Sequence, residues 1–137
     1  MKKSLDTLQV AEGEMLLIDK PYGWTSFGVV TQIKKWTKAK IGHAGTLDPL
    51  ASGLVICCTG KMTKKLSELL GLSKEYTGIF HLGATTPTFD LESHPENLKD
   101  FSAITPTHIE KTRLTFLGEI EQFPPIHSAI KQDGKPV

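Results

Sequence analysis

Apolar residues fall along this chain in two distinct rhythms, and the alternation between them lays out the elements. Met15-Leu16-Leu17-Ile18 is a short continuous apolar run that predicts a buried strand, ended by the turn residues Lys20-Pro21-Tyr22-Gly23. A helix should follow: Thr25 or Ser26 can cap it, and Val29, Val30, Ile33 and Trp36 recur at helical spacing on one face. Leu54-Val55-Ile56-Cys57-Cys58 is apolar throughout, as expected of a central strand covered on both faces. Met62, Leu66, Leu69 and Leu70 predict an amphipathic helix from Lys61 to Leu70 that Gly71 can terminate.

The second half is patterned more loosely. Tyr76 to Leu82 favours a strand, and Thr85 to Ser102, rich in Pro, Thr, Ser, Asn and charge, predicts a long surface connection. Thr107 to Arg113 predicts a short helix, Leu114 to Ile120 a strand, and Phe123-Pro124-Pro125 a rigid extended break. His127 to Gln132 reads as a strand entering an Asp133-Gly134 hairpin turn, yet only Lys135, Pro136 and Val137 remain to form its partner. The expectation is one domain over residues 1–137 that stops short of completing its last sheet.

Between the helix and the central strand lies Gly42-His43-Ala44-Gly45-Thr46-Leu47-Asp48-Pro49-Leu50-Ala51-Ser52-Gly53, a glycine-bounded stretch with one imidazole and one carboxylate. Pro49 disfavours the helical region for Asp48 and so predicts a carboxylate displayed on a turn. An aspartate before proline is common turn punctuation. With no second acid, paired cysteine or phosphate-loop lysine nearby, however, the chemistry open to Asp48 is nucleophilic, and a carboxylate ionised at neutral pH needs no activating base.

Charge and composition narrow the setting. A 39% hydrophobic content supports a modest core, and no apolar run approaches the roughly 18 residues of a membrane span. The opening Met-Lys-Lys-Ser-Leu-Asp lacks the apolar core of a signal peptide, so a cytoplasmic location is expected. Cys57 and Cys58 are adjacent in a strand, which sends their side chains to opposite faces and predicts free buried thiols. Net charge is only +1, but residues 1–75 hold eleven lysines against seven acids, while residues 76–137 hold five basic residues against eight acids. Lys34, Lys35 and Lys38 fall on or near the polar side of the first helix. They read as a solvated face or as contacts to RNA phosphates.

The Gly42–Gly53 stretch resembles the catalytic motif of the TruB pseudouridine synthases, which isomerise uridine 55 in the T-arm of transfer RNA. Asp19-Lys20-Pro21 with Gly23, Thr25 and Ser26 resembles the family's N-terminal motif, and Lys74-Glu75-Tyr76 its second active-site strand. Leu82-Gly83 through Thr86 to Asp90, then Phe123-Pro124-Pro125 with His127-Ser128-Ala129 and Lys131, resemble further blocks in the same order.

The resemblance implies an α+β fold, with a mixed, largely antiparallel sheet flanked by helices, incomplete at its C-terminal end. It implies a cofactor-free and metal-free isomerisation in which Asp48 is the nucleophile. His43 would support the flipped-out RNA, Tyr76 would lie against the target base, and Lys20 would brace the loop or pair with an acid. The implied partner is the transfer-RNA T-arm, with no membrane, no obligate protein partner and a monomeric full-length enzyme. Family members continue through the rest of the catalytic domain, so this chain alone is expected to be inactive.

Competing readings fit less well. Gly60-Lys61 lacks the spacing of a phosphate-binding loop, and Met62 stands where that loop needs a hydroxyl. A hydrolase triad of His43, Asp48 and Ser52 would crowd three members into ten residues without a nucleophile elbow. A non-catalytic RNA-binding or guide-RNA-associated module, resembling the dyskerin relatives, shares the Gly-Thr-Leu-Asp-Pro core, but those relatives typically carry extra basic segments that this sequence lacks.

Overall fold

A computed structural model describes residues 10–121, 131–132 and 135–136. The chain divides into two compact units, residues 1–76 and residues 77–137, where the pattern of the sequence predicts one domain.

In the first unit three strands form an antiparallel sheet of order β1-β3-β2: β1 is Met15–Lys20, β2 is Ile41–Ala44 and β3 is Gly53–Thr59. Register pairs Leu16 with Cys57 and Ile18 with Val55, which places these four side chains on one face of the pleat. Helix α1, Ser26–Thr37, lays Val29, Val30 and Ile33 on that face, and with Val55 and Cys57 they form the core. Its N-cap is Thr25, whose hydroxyl oxygen accepts the Gly28 N–H at 2.9 Å. Trp36, expected on the apolar face, is 62% exposed; it falls in the last turn of the helix, beyond the stripe that Val29, Val30 and Ile33 fill.

Strand β3 is central, as expected, but its second face is covered only at one end. Cys58 is buried there, while Leu54 at the other end is exposed. The cover at that corner comes from the segment after β3: a Cβ on Gly42, the register partner of Cys58, would stand 2.6 Å from Leu66 Cδ1. Glycine is what lets the strand and that segment approach so closely. Cys57 and Cys58 are both free and buried.

Other expectations need correction. The helix predicted over Lys61 to Leu70 is a 3₁₀ helix, Gly60–Lys65, followed by the short α2, Leu66–Leu70. Met62, Leu66 and Leu69 in it are only half-buried, so no wide apolar stripe holds it to a single α-helical course. Tyr76 to Leu82 forms no strand, and Ile79 and Phe80 are 85% and 94% exposed. Among the described residues this segment has no strand to pair with, and apolar alternation alone supplies no hydrogen-bond ladder.

In the second unit α3 runs from Pro106 to Leu114, opened by a capping box in which Thr105 Oγ1 accepts the His108 N–H and His108 Nδ1 accepts the Thr105 N–H. The helix carries on through Leu114 and ends in turns, so the strand expected over Leu114 to Ile120 is absent. Residues 85–102 form the expected irregular connection, tied by a bridge between Thr85 and Glu96 and by hydrogen bonds of Thr88 to Asp90 and Ser93. Strands β4, Lys131–Gln132, and β5, Lys135–Pro136, pair antiparallel, so the hairpin expected to lack a second arm has one of two residues. The Phe123-Pro124-Pro125 break and His127 to Ile130 lie outside the described residues.

Candidate active site

The sheet register decides where the reactive loop stands. Ala44 pairs with Ile56, and Lys20 pairs with Gly53, so the loop after β2 re-enters the sheet opposite the last residue of β1. The predicted loop is therefore shorter than Gly42–Gly53: its first three residues, His43 among them, belong to β2. Gly45 then turns the chain with a φ of +90°, a conformation a side chain would strain.

Two anchors hold the loop on either side of Asp48. On one side Ser26 Oγ donates to the Leu47 carbonyl at 3.1 Å and accepts the Leu47 N–H at 2.9 Å. On the other, the Pro49 carbonyl accepts the Gly23 N–H at 2.8 Å and the Lys20 ammonium at 3.3 Å. Lys20 is wholly buried, and its Nζ also donates to the carbonyls of Pro21 at 3.2 Å and Trp24 at 2.5 Å. A buried ammonium is tolerated only when its donors are satisfied, and here three carbonyl dipoles do so. Lys20 thus braces the loop through main-chain oxygens; no carboxylate pairs with it among the described residues.

Asp48 itself is exposed, and among the described residues no hydrogen bond or ion pair reaches its carboxylate. Its own carbonyl accepts the Ala51 N–H at 3.0 Å, which closes the turn that Pro49 predicts. The result is an ionisable oxygen pair on a backbone fixed both before and after it. Such an arrangement suits a nucleophile, which needs a defined position and free lone pairs.

His43 is half-buried, with Nδ1 2.6 Å from the Gly45 carbonyl. A carbonyl oxygen can only accept, so Nδ1 carries the proton, and in the neutral ring Nε2 is left as an acceptor. Tyr76 is not joined to the loop by any hydrogen bond and is 69% exposed, so it is no core strand residue. Its neighbour Lys74 does come alongside: Lys74 Cε lies 3.9 Å from where a Cβ on Gly45 would stand, and its Nζ donates to the carbonyls of Leu70 and Leu72. The structure therefore brings Lys20 to the Asp48 loop, sets His43 at the loop's entrance, and leaves Tyr76 exposed with no hydrogen bond to the loop.

The residue whose part the sequence did not reveal is Ser26, which reads there as one of two possible caps. Two adjacent hydroxyls stand where a helix needs one, and the spare one holds Leu47. Among the described residues no three His, Cys, Asp or Glu side chains stand together to hold a metal ion. No helix among them is long and apolar enough to cross a membrane.

Comparison with known proteins bears on this loop and on its scaffold. Residues 33–137 match the family described as "TruB family pseudouridylate synthase (N terminal domain)". A tRNA pseudouridine synthase B of Flavobacterium johnsoniae is 54% identical over 131 residues, 90% of this chain and 57% of the relative. One from Bacteroides fragilis is 50% identical over 130 residues, covering 90% of this chain and 56% of the relative. A chain in the crystal structure of a Cbf5-Nop10-Gar1 complex superposes with a TM-score of 0.57 at 27% identity, over 95% of this chain and 34% of the other. This chain spans little more than half the length of the curated relatives it matches. The ordered motifs, the antiparallel sheet with its packed helix and the match over residues 33–137 together make this chain a member of the TruB family of pseudouridylate synthases.

Proposed function

We propose that this chain carries the N-terminal portion of the catalytic domain of a transfer-RNA pseudouridine synthase, acting on uridine 55 of the T-arm. The observation that carries the reading is the exposed, unpaired carboxylate of Asp48, held between the anchored residues Leu47 and Pro49. The names of the relatives, tRNA pseudouridine synthase B, support the substrate class.

In this reading the uridine leaves its stack, at a cost of a few kcal/mol, and enters the site beside the loop. Asp48 supplies the nucleophilic oxygen. The bond from the sugar to N1 of uracil breaks, the base turns, and the sugar is rejoined at C5; the proton lost from C5 is balanced by one gained at N1. Reactant and product are isomers, so no cofactor is consumed. His43, with its Nδ1 proton committed to Gly45, offers Nε2 to the displaced RNA strand. Tyr76 provides the aromatic surface for the base, worth ~1 to 3 kcal/mol if it stacks. Lys20 and Ser26 are positioning residues that act through the loop.

The enzyme would act in the cytoplasm as a monomer, without an obligate protein partner. Because this chain spans little more than half the length of the relatives, turnover is expected of the full-length protein and not of these residues alone. The dyskerin-type reading has one observation in its favour, the likeness to a chain of the Cbf5-Nop10-Gar1 complex, but identity is 27% there against 54% for the bacterial synthase.

The test is Asp48→Asn in the full-length protein, assayed on an unmodified T-arm stem-loop. The amide keeps the shape and removes the nucleophile, so pseudouridine formation should vanish while RNA affinity stays within a few-fold. Near-normal turnover would remove Asp48 from the mechanism.

A further inference from the structure

The solvent side of α1 has features that the core does not explain. Phe27, in its first turn, is 73% exposed, and Tyr22 and Trp24 just before the helix are 68% and 43% exposed. Val29, Val30 and Ile33 already fill the buried stripe, so these rings stand on the surface without a packing role. At helical spacing beyond Phe27 come Lys34, then Lys38 at the cap, with Lys35 on the flank, all exposed. Two of these lysines sit in the last turn, where they complement the helix dipole, but that does not account for the aromatic end.

Charge along this stretch is of one sign. From Lys20 to Leu47 the sequence holds five lysines and no aspartate or glutamate. The next acid on either side is Asp19 or Asp48 itself. Ser26, in the same first turn as Phe27, is bonded to Leu47, so the aromatic end of the helix abuts the Asp48 loop while the cationic end leads away from it. Rings beside the loop and ammonium groups further on match what a nucleic acid presents: bases to stack where the strand is opened, and phosphates along the adjoining stem.

Resting on the proposed function and naming the surface by which its substrate is held, we infer that the solvent face of α1 is an RNA track. Phe27 and Tyr22 contact unstacked bases next to the reactive aspartate, and Lys34, Lys35 and Lys38 contact backbone phosphates of the stem.

The experiment measures affinity for an unmodified T-arm stem-loop across a salt series. Lys34→Gln, Lys35→Gln and Lys38→Gln combined should weaken binding by on the order of tenfold and lower the slope of log affinity against log salt by about two to three. Arginine at the same three positions should restore both. Phe27→Ala with Tyr22→Ala should weaken binding with the slope unchanged, since stacking releases no counterions. The control, Lys99→Gln with Lys111→Gln on exposed positions of the second unit, should alter neither quantity. If the wild-type chain binds the stem-loop and the lysine triple variant binds equally, with the same slope, the track is wrong and the proposed function stands. Aromatic variants that bind as wild type would likewise overturn it, leaving a face that attracts any polyanion. If the full-length wild-type protein binds no RNA at all, both readings fail together.

Discussion

Ser26 and Leu47, twenty-one positions apart, exchange both of their available bonds: the serine oxygen donates to the leucine carbonyl at 3.1 Å and accepts its N–H at 2.9 Å. One hydroxyl therefore satisfies both main-chain groups of the residue preceding Asp48. Ser26→Ala leaves those groups without partners, each costing ~1 to 3 kcal/mol. Urea unfolding should show a loss of about 2 to 4 kcal/mol. Turnover should fall on the order of 100-fold, the usual consequence of an ångström-scale displacement of a reacting group. A variant that unfolds at the wild-type midpoint would show that the loop holds its place by other means.

Lys20 offers a second handle on the same loop. Lys20→Met keeps the length of the stem and removes the ammonium, so the Trp24 carbonyl loses its donor while Pro21 keeps the Trp24 N–H and Pro49 the Gly23 N–H. Relief from burying a charge offsets part of the loss, and a net destabilisation of roughly 1 to 3 kcal/mol is expected. The kinetic signature separates positioning from binding: kcat should drop while KM for the RNA stays within a few-fold. A rise in KM at constant kcat would place Lys20 on the substrate.

Tyr76 is exposed, so its substitution should move the melting temperature very little. Tyr76→Leu should slow turnover by roughly 10- to 100-fold if the ring stacks on the uracil, and Tyr76→Phe should retain most of the rate. Equal damage from Phe and Leu would assign the role to the hydroxyl and overturn the stacking account.

Burial between the sheet and α1, aided by the neighbouring Cys58 sulfur, pushes the Cys57 thiol up to about 11 from its usual 9.0. The unfolded thiol ionises first, so the contribution is intact below about pH 9 and is lost as pH rises toward about 11. Stability should fall across that window, and Cys57→Ala should flatten the fall. At pH 8 the native thiol should react with a thiol reagent on the order of 100-fold more slowly than in urea. Fast native labelling at Cys57 would show that the core opens readily.

How much of this could be read beforehand depends on the range of the interaction. β1, α1, β3 and α3 follow from apolar period, a capping hydroxyl and bounding turn residues, all within a dozen positions. Asp48 on a turn followed from Pro49, because that constraint acts on the adjacent residue. Tyr76 to Leu82 and Leu114 to Ile120 misled because apolar alternation reports fitness for a pleated surface and says nothing of whether a partner strand is at hand. The Ser26 clasp, and the Pro49 oxygen on which the expected Lys20 brace acts, were hidden for the opposite reason. Their chemistry lies in main-chain atoms of residues 21 to 29 positions away, which no local pattern encodes.

The paired anchors at Leu47 and Pro49 also set the terms on which this loop can change length. With one residue between two fixed points, an insertion or deletion at Asp48 cannot be absorbed by slack on either side, since Ser26 holds the preceding peptide and Gly23 with Lys20 the following one. The connection over residues 85–102 is tied at Thr85–Glu96 and by Thr88 to Asp90 and Ser93, but nowhere on both sides of a single residue, so it can lengthen between those ties at the entropic cost of a surface loop. Variation in length among descendants of this chain should therefore gather in the second unit and leave the spacing from Leu47 to Pro49 untouched.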